Sequence, residues 1–370
     1  MDELVRLLKK TRGLVCIECG RCTGICPVSR ADHRFSPRSV LVRTIHADIE
    51  GIRGKEDIWY CLTCGHCSQI CPMDLNYLEF TKLARNIASK IGDEAKCSHG
   101  GAFQSLMKIM TNPELKPDKW GWVTGVEINE GSDIGYFVGC LPLFDTLFSD
   151  LKMNTINSGL AAIKLLNRSG IKPALIKDER CCGHDLLWMG DIENFKKLAE
   201  HNVEVIEAQG LKKVVFSCPE GYRTFKIDYP QLLGRLPFEV VHIFEVLKEG
   251  NLKFPGRELG ITYQDPCRLS RHLGLDQLPR DMIARASGLQ LVEMQHSRKQ
   301  SICCGVASWI SCTVYAKKIQ LRRLEEARNT GAEMLVTSCP KCQIHFSCTQ
   351  QELPEAERIA MVDLLTLLTD

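Results

Sequence analysis

Apolar positions recur at helical spacing near the start of the chain and in a strand–helix alternation further on. Within residues 75–91, Leu78, Phe80, Leu83 and Ile87 return near the helical period, which predicts a helix. Residues 103–110 form an amphipathic piece, and NPELKPDKWGW after it has the proline and tryptophan content of a loop. From Ile134 the pattern changes. IGYFVGC is an apolar run ending in Cys140, 154–166 reads as a helix, and PALIKDERCCG is a strand followed by a loop. Residues 194–207 read as a helix, and VVFSC is a strand ending in Cys218. Strands alternating with helices predict a parallel sheet covered by helices.

The same order then returns. ITYQDPC ends in Cys267, LQLVEM precedes Cys303 and Cys304, and MLVTSC ends in Cys339. Cys267, Cys303 and Cys339 lie 127, 122 and 121 positions beyond Cys140, Cys181 and Cys218, which indicates a duplicated domain. Ligands of open α/β sheets collect beyond the carboxyl ends of strands, so each copy should gather its cysteines at one sheet edge.

Composition adds exclusions. The 370 residues are 44% hydrophobic and carry 47 Lys and Arg against 45 Asp and Glu, a net charge of +2. No basic surplus argues for nucleic acid. The opening MDELVRLLKKTRGLVCIECG has no apolar stretch of signal-peptide length, and no run approaches the roughly 18 residues of a membrane span. A cytoplasmic protein is expected, one that could still dock on a membrane partner. Twenty cysteines are far above normal usage. Clustered at short spacing in a chain without an export signal, they read as metal ligands rather than disulfides.

Two runs carry the first chemistry: Cys16, Cys19, Cys22 and Cys26-Pro27, then Cys61, Cys64, Cys67 and Cys71-Pro72. Both match the C-x2-C-x2-C-x3-C-P pattern of bacterial ferredoxins, in which the fourth cysteine reaches the other cluster. Cys16, Cys19, Cys22 and Cys71 are therefore assigned to one [4Fe–4S] cluster, and Cys61, Cys64, Cys67 and Cys26 to a second. Eight cysteines in this doubled spacing fit zinc poorly. The segment 28–60 between the runs is too long for a compact bacterial ferredoxin and points to the larger α-helical type.

The duplicated region carries the second chemistry. Its second copy offers Cys267, Cys303, Cys304, Cys339 and Cys342; its first offers Cys140, Cys181, Cys182 and Cys218. Adjacent cysteines strain a single tetrahedral ion but suit a cluster of several irons. These motifs, with GYFVGC, DERCCG, SCPEGYRTFKIDYP and DPCRLSRHLG, resemble the CCG-domain family of heterodisulfide reductases, here in the D-type arrangement that fuses a ferredoxin subunit to a catalytic one. The resemblance covers nearly the whole chain. It implies a helical ferredoxin domain over 1–95, a connector over 96–132, and two Rossmann-like α/β CCG domains over 133–255 and 256–370. It also implies a noncubane [4Fe–4S] cluster on Cys267, Cys303, Cys304, Cys339 and Cys342. The first copy departs from the pattern, because its fifth position is Gly221, which cannot ligate. Its four cysteines would hold an altered cluster, zinc, or nothing.

The implied activity is an iron–sulfur oxidoreductase that passes electrons to the noncubane cluster for disulfide or thiol chemistry. The alternative is a non-catalytic relay subunit of a larger flavoprotein or bifurcating complex. A third reading is the iron–sulfur subunit of a hydroxyacid or glycerol-3-phosphate oxidase. No G-x-G-x-x-G or Walker loop follows any strand, so flavin and nicotinamide are expected on a partner. His272, after DPC, is the candidate proton donor, with His184 behind it. Arg268 and Arg271 would attract an anion, offset cluster charge, or form a solvated face. Cys97, Cys312 and Cys348 lie outside the motifs and read as buried free thiols.

Overall fold

The computed structural model describes residues 2–46, 52, 57–250, 252–310 and 312–369. Part of the 28–60 segment lies outside them. The chain forms two compact units: Met1–Ile109 with Gly183–Phe195 and Ile302–Arg323, and Met110–Cys182 with Lys196–Ser301 and Leu324–Asp370.

The first unit is helical through its N-terminal stretch. Its longest helix there, Tyr77–Lys90, starts where the Asn76 side chain accepts from the Glu79 N–H at 3.0 Å, satisfying one orphan donor. Its buried face includes Tyr77, Phe80, Ala84, Ile87 and the fully buried Arg85. The amphipathic piece at 103–110 is the helix Ala102–Ile109.

The second unit contains two four-stranded parallel sheets. In the first, β1 (Ile134–Phe137), β2 (Ala174–Leu175), β3 (Lys213–Phe216) and β4 (Glu239–His242) are ordered β2-β1-β3-β4. In the second, β5 (Leu259–Gln264), β6 (Leu289–Leu291), β7 (Met334–Thr337) and β8 (Ala360–Asp363) are ordered β6-β5-β7-β8. The register repeats as well. Ile134 pairs with Lys213 and Lys213 with Glu239; Ile261 pairs with Met334 and Met334 with Ala360. Central strands covered on both faces need apolar residues throughout, as Val214, Val215 and Phe216 or Leu335 and Val336 provide.

In both sheets the order reverses between the first and third strands. Such a switch point opens a crevice at the carboxyl ends, where ligands bind. Cys140 follows β1 and Cys218 follows β3; Cys267 follows β5 and Cys339 follows β7. A buried pair supports each crevice from below: Tyr136 Oη to Ser217 Oγ at 2.8 Å, and Tyr263 Oη to Ser338 Oγ at 2.9 Å.

The stretch NPELKPDKWGW has no regular element, as expected of a loop, yet it is fastened. Arg180, beside Cys181, donates to the carbonyls of Met110 and Asn112 at 2.8 and 2.6 Å and to that of Leu115 at 3.0 Å. Lys119 Nζ donates to Gly139 O at 2.8 Å and meets the Glu179 carboxylate at 3.2 Å.

Candidate iron–sulfur sites

The two N-terminal cysteine loops follow one backbone course. Glu18 and Thr63 take left-handed φ values of 51° and 48°, and Gly20 and Gly65 take 77° and 84°. Each glycine opens a five-residue helix, Arg21–Ile25 or His66–Ile70, that ends on an extended cysteine, Cys26 or Cys71. Cys16, Cys19, Cys22 and Cys71 line one cavity, which Cys67 also touches. Cys26, Cys61, Cys64 and Cys67 line another. The fourth cysteine of each run thus stands with the first three of the other.

Burial, and then the neighbouring Cys64, push the Cys26 thiol up to about 12. Burial also raises Cys61 and Cys67. Thiols packed this way ionise reluctantly alone and are stabilised as thiolates by bound cations, so the soft, crowded donor set fits iron–sulfur clusters. Polar support is in place for Cys61: the Thr63 N–H donates to its sulfur at 3.4 Å, and Thr81 Oγ1 lies 3.8 Å from it.

Two residues in this unit carried no signal in the cysteine spacing. Arg85 donates to the carbonyls of Ile58, Cys61 and Trp188 at 3.1, 2.7 and 2.8 Å, so one buried cation fixes the Cys61 loop to the helix His184–Met189. Tyr77 is buried within electrostatic reach of Cys61, Cys67, Cys26 and Cys22, and burial holds its phenol well above the usual range.

In the first cysteine-rich copy, Cys140 Sγ and Cys181 Sγ lie 3.8 Å apart. Asn202 donates to Cys181 O at 3.0 Å and Tyr229 to Cys182 O at 3.1 Å, which fixes the paired cysteines. Glu179 accepts from the Val138 and Gly139 N–H groups at 3.0 and 2.7 Å, which fixes the turn carrying Cys140. Burial pushes its carboxyl up to about 7. Cys218 is raised by burial, then by the nearby Cys339 and Glu220. Gly221 lies on the helix Pro219–Arg223, three residues past Cys218.

In the second copy, Cys339 caps the helix Pro340–Gln350 and Cys342 sits on its first turn, both 4% exposed. Cys267 caps the π-turn Arg268–His272. Asp265, two residues earlier, accepts both Arg280 Nη1 and Nη2, at 2.7 and 2.9 Å. Cys303 and Cys304 are buried, and Gln320 donates to Cys304 O at 3.1 Å. Arg271 donates to Ser301 O at 2.6 Å. Gly305, after the pair, has φ +85° and would place a Cβ 2.8 Å from Ala316 O, so only glycine fits.

His272 is half-buried, and its Nε2 accepts from Arg268 Nη1 at 2.9 Å, so the ring's own proton sits on Nδ1. Arg268 is 2% exposed, which removes the solvated-face reading for it. His184 is buried, with Nδ1 2.8 Å from Asp185 Oδ1. Of the remaining cysteines, Cys312 is exposed rather than buried, and Cys97 and Cys348 are intermediate.

The cysteine-rich domain family (CCG) matches residues 134–226 and 261–347, and the 4Fe–4S dicluster domain family matches 13–75. The D subunit of a dihydromethanophenazine:CoB–CoM heterodisulfide reductase from Methanosarcina barkeri is 31% identical over 96% of this chain and 93% of its own. The chain belongs to the heterodisulfide reductase D-like family of CCG iron–sulfur proteins. An EtfAB:quinone oxidoreductase from Syntrophomonas wolfei is 27% identical over 88% of this chain and 54% of its own. The B subunit of a fumarate reductase (CoM/CoB) from Methanothermobacter marburgensis is 27% identical over 97% and 72%. The family members are oxidoreductase subunits, and the chain has a redox role with a ferredoxin-like region and two CCG domains. Among the described residues no helix is long and apolar enough to cross a membrane.

Proposed function

We propose that this chain is an oxidoreductase subunit that carries electrons from its N-terminal cysteines to the second CCG copy, for reductive cleavage of a disulfide or the reverse thiol oxidation. The intact cysteine set Cys267, Cys303, Cys304, Cys339 and Cys342 carries this reading, because only this copy keeps the fifth thiol. The crossed cavities support two [4Fe–4S] clusters on Cys16, Cys19, Cys22 and Cys71 and on Cys26, Cys61, Cys64 and Cys67. When bound, these groups supply one-electron transfer and, in the second copy, an iron able to hold sulfur. The protein's part is to bury the thiols, hold the loops through Arg85, Asp265 and Arg271, and offer the His272 Nδ1 proton to a leaving thiolate. The first copy holds an altered cluster or zinc on Cys140, Cys181, Cys182 and Cys218. Each parallel sheet with its covering helices supports a Rossmann-like reading of its domain. The electron donor is a flavoprotein partner, in the cytoplasm or docked on a membrane protein.

Gly221 favours a second reading. With one copy short of a ligand, the chain would relay electrons to or from a flavoprotein without sulfur chemistry; the resemblance to an EtfAB:quinone oxidoreductase is compatible with that. Titrating the dithionite-reduced protein with small thiols and disulfides under electron paramagnetic resonance separates the two. A new paramagnetic signal, lost in Cys303→Ser, is expected from sulfur chemistry. A spectrum unchanged by every thiol tried would sink it and leave the relay.

A further inference from the structure

The two copies meet through residues at the same place in their motifs. Ser217-Cys218-Pro219-Glu220-Gly221 and Ser338-Cys339-Pro340-Lys341-Cys342 follow β3 and β7, which have matching register. Lys341 Nζ lies 2.7 Å from Glu220 Oε2, with side chains 6% and 14% exposed. Each charge thus precedes the fifth ligand position of its own copy: Glu220 before the missing one, Lys341 before Cys342. A duplicated sequence would place like residues opposite each other here; this chain places opposite charges.

The choice of lysine runs against the local rule. A cation in the first turn of the helix Pro340–Gln350 is disfavoured by the helix dipole, and burial adds a desolvation cost. Breaking a local preference at a buried position calls for a compensating role. A cluster held by Cys339 and Cys342 would make this end of the sheet electron-rich, and the positive charge of Lys341, between them on the same helix start, would favour the more negative, reduced state.

We propose that the Glu220–Lys341 pair sets the reduction potential of the second CCG copy relative to the N-terminal clusters, with Lys341 as the favouring charge and Glu220 as its attenuator. This rests on the reading that the second copy holds a redox cluster. Both residues act here through their charge, as positioning residues. Glu220→Gln removes the attenuating charge and should raise the potential of the last cluster. Lys341→Met removes the favouring charge and should lower it. The double variant Glu220→Lys/Lys341→Glu restores a pair while reversing which copy carries the cation.

The test is a redox titration of the full-length protein, read by electron paramagnetic resonance, with thermal unfolding measured in parallel. The swapped variant should regain most of the stability lost in the single variants. Its last-cluster potential should nevertheless stay below that of the unmodified protein, by at least a tenfold change in the oxidised-to-reduced ratio at fixed poise, ~59 mV for one electron. The N-terminal signals should not move. Recovery of both stability and potential by the swap, or equal potentials in all variants, would overturn the proposal and leave the pair a packing contact. Absence of any last-cluster signal in the unmodified protein would instead overturn the functional reading on which it rests.

Discussion

The two CCG copies share a scaffold and differ in chemistry. Sheet order, register, the Tyr136–Ser217 and Tyr263–Ser338 pairs and the cysteines past β1, β3, β5 and β7 are common to both. The differences are Gly221 against Cys342, Glu220 against Lys341, and His242 against Asp363 at the ends of β4 and β8. What recurs is the set of residues that pack strands, where volume and hydrogen bonding leave few options. What diverges at the sheet edge is one cysteine position, Gly221 against Cys342, and the charges near it. The backbone does not require glycine at 221: an added Cβ would make only ordinary contact with Phe216, at 3.5 Å. The backbone leaves room for a side chain's Cβ at 221.

The strongest break of the comparison is Cys339→Ala. It should remove the second copy's cluster, lowering iron by about four per chain while the N-terminal signals persist. Parallel loss of those signals would show that the two regions do not assemble independently. Gly221→Cys runs the other way. Completing five thiols in the first copy should raise iron by up to about four per chain and displace any zinc. Unchanged iron and zinc would mean that the missing ligand is not what separates the copies.

Stability should separate them too. Asp265→Asn leaves the buried Arg280 with Glu293 as a charge partner and weakens two charged hydrogen bonds, which costs about 1.5–3 kcal/mol. Glu179→Gln should cost less, because the amide oxygen can still accept from the Cys140 turn and Lys119 keeps Gly139 O. Denaturant midpoints of the two variants check the order.

Titration should separate the two sheets as well. Burial lowers His242 from 6.5 to about 3, so the stability it contributes is held above pH 6.5 and lost as pH falls towards 3. Burial raises Asp363 from 3.8 to about 7, so its contribution is held below pH 3.8 and lost as pH rises through 7. Each should give a slope on the order of 1 kcal/mol per pH unit within its window. His242→Asn should flatten the acid side of the stability profile and Asp363→Asn the side approaching neutrality. A profile unaffected by either would show that these groups keep their unfolded-state titration.

Much of this architecture was legible because its signals are local. Apolar runs ending in Cys140, Cys218, Cys267 and Cys339 mark strand ends, and near-equal offsets mark the duplication. The strands β4 and β8 were less legible: EVVH and AMVD are four residues long and run straight into helices. The stretch 112–122 was legible as a loop but not as a strap, since Arg180 and Lys119 hold it through backbone carbonyls that leave no pattern. Nothing in the alternation showed that Gly183–Phe195 and Ile302–Arg323, at the two cysteine pairs, fold with the N-terminal helices. That return depends on side chains such as Arg85 reaching Trp188 O, distant in sequence. Arg268 was equally ambiguous, because a charged residue after a strand gives no sign of whether it is buried.

On the proposed function, the N-terminal runs feed a filled cluster site in the second CCG copy. Anaerobic iron, sulfide and zinc analysis of the purified full-length chain tests it most directly. At least about twelve irons per chain are expected, about eight for the two N-terminal cubes and about four for the second copy, with matching sulfide. About eight irons, unchanged by Cys303→Ser, would contradict it.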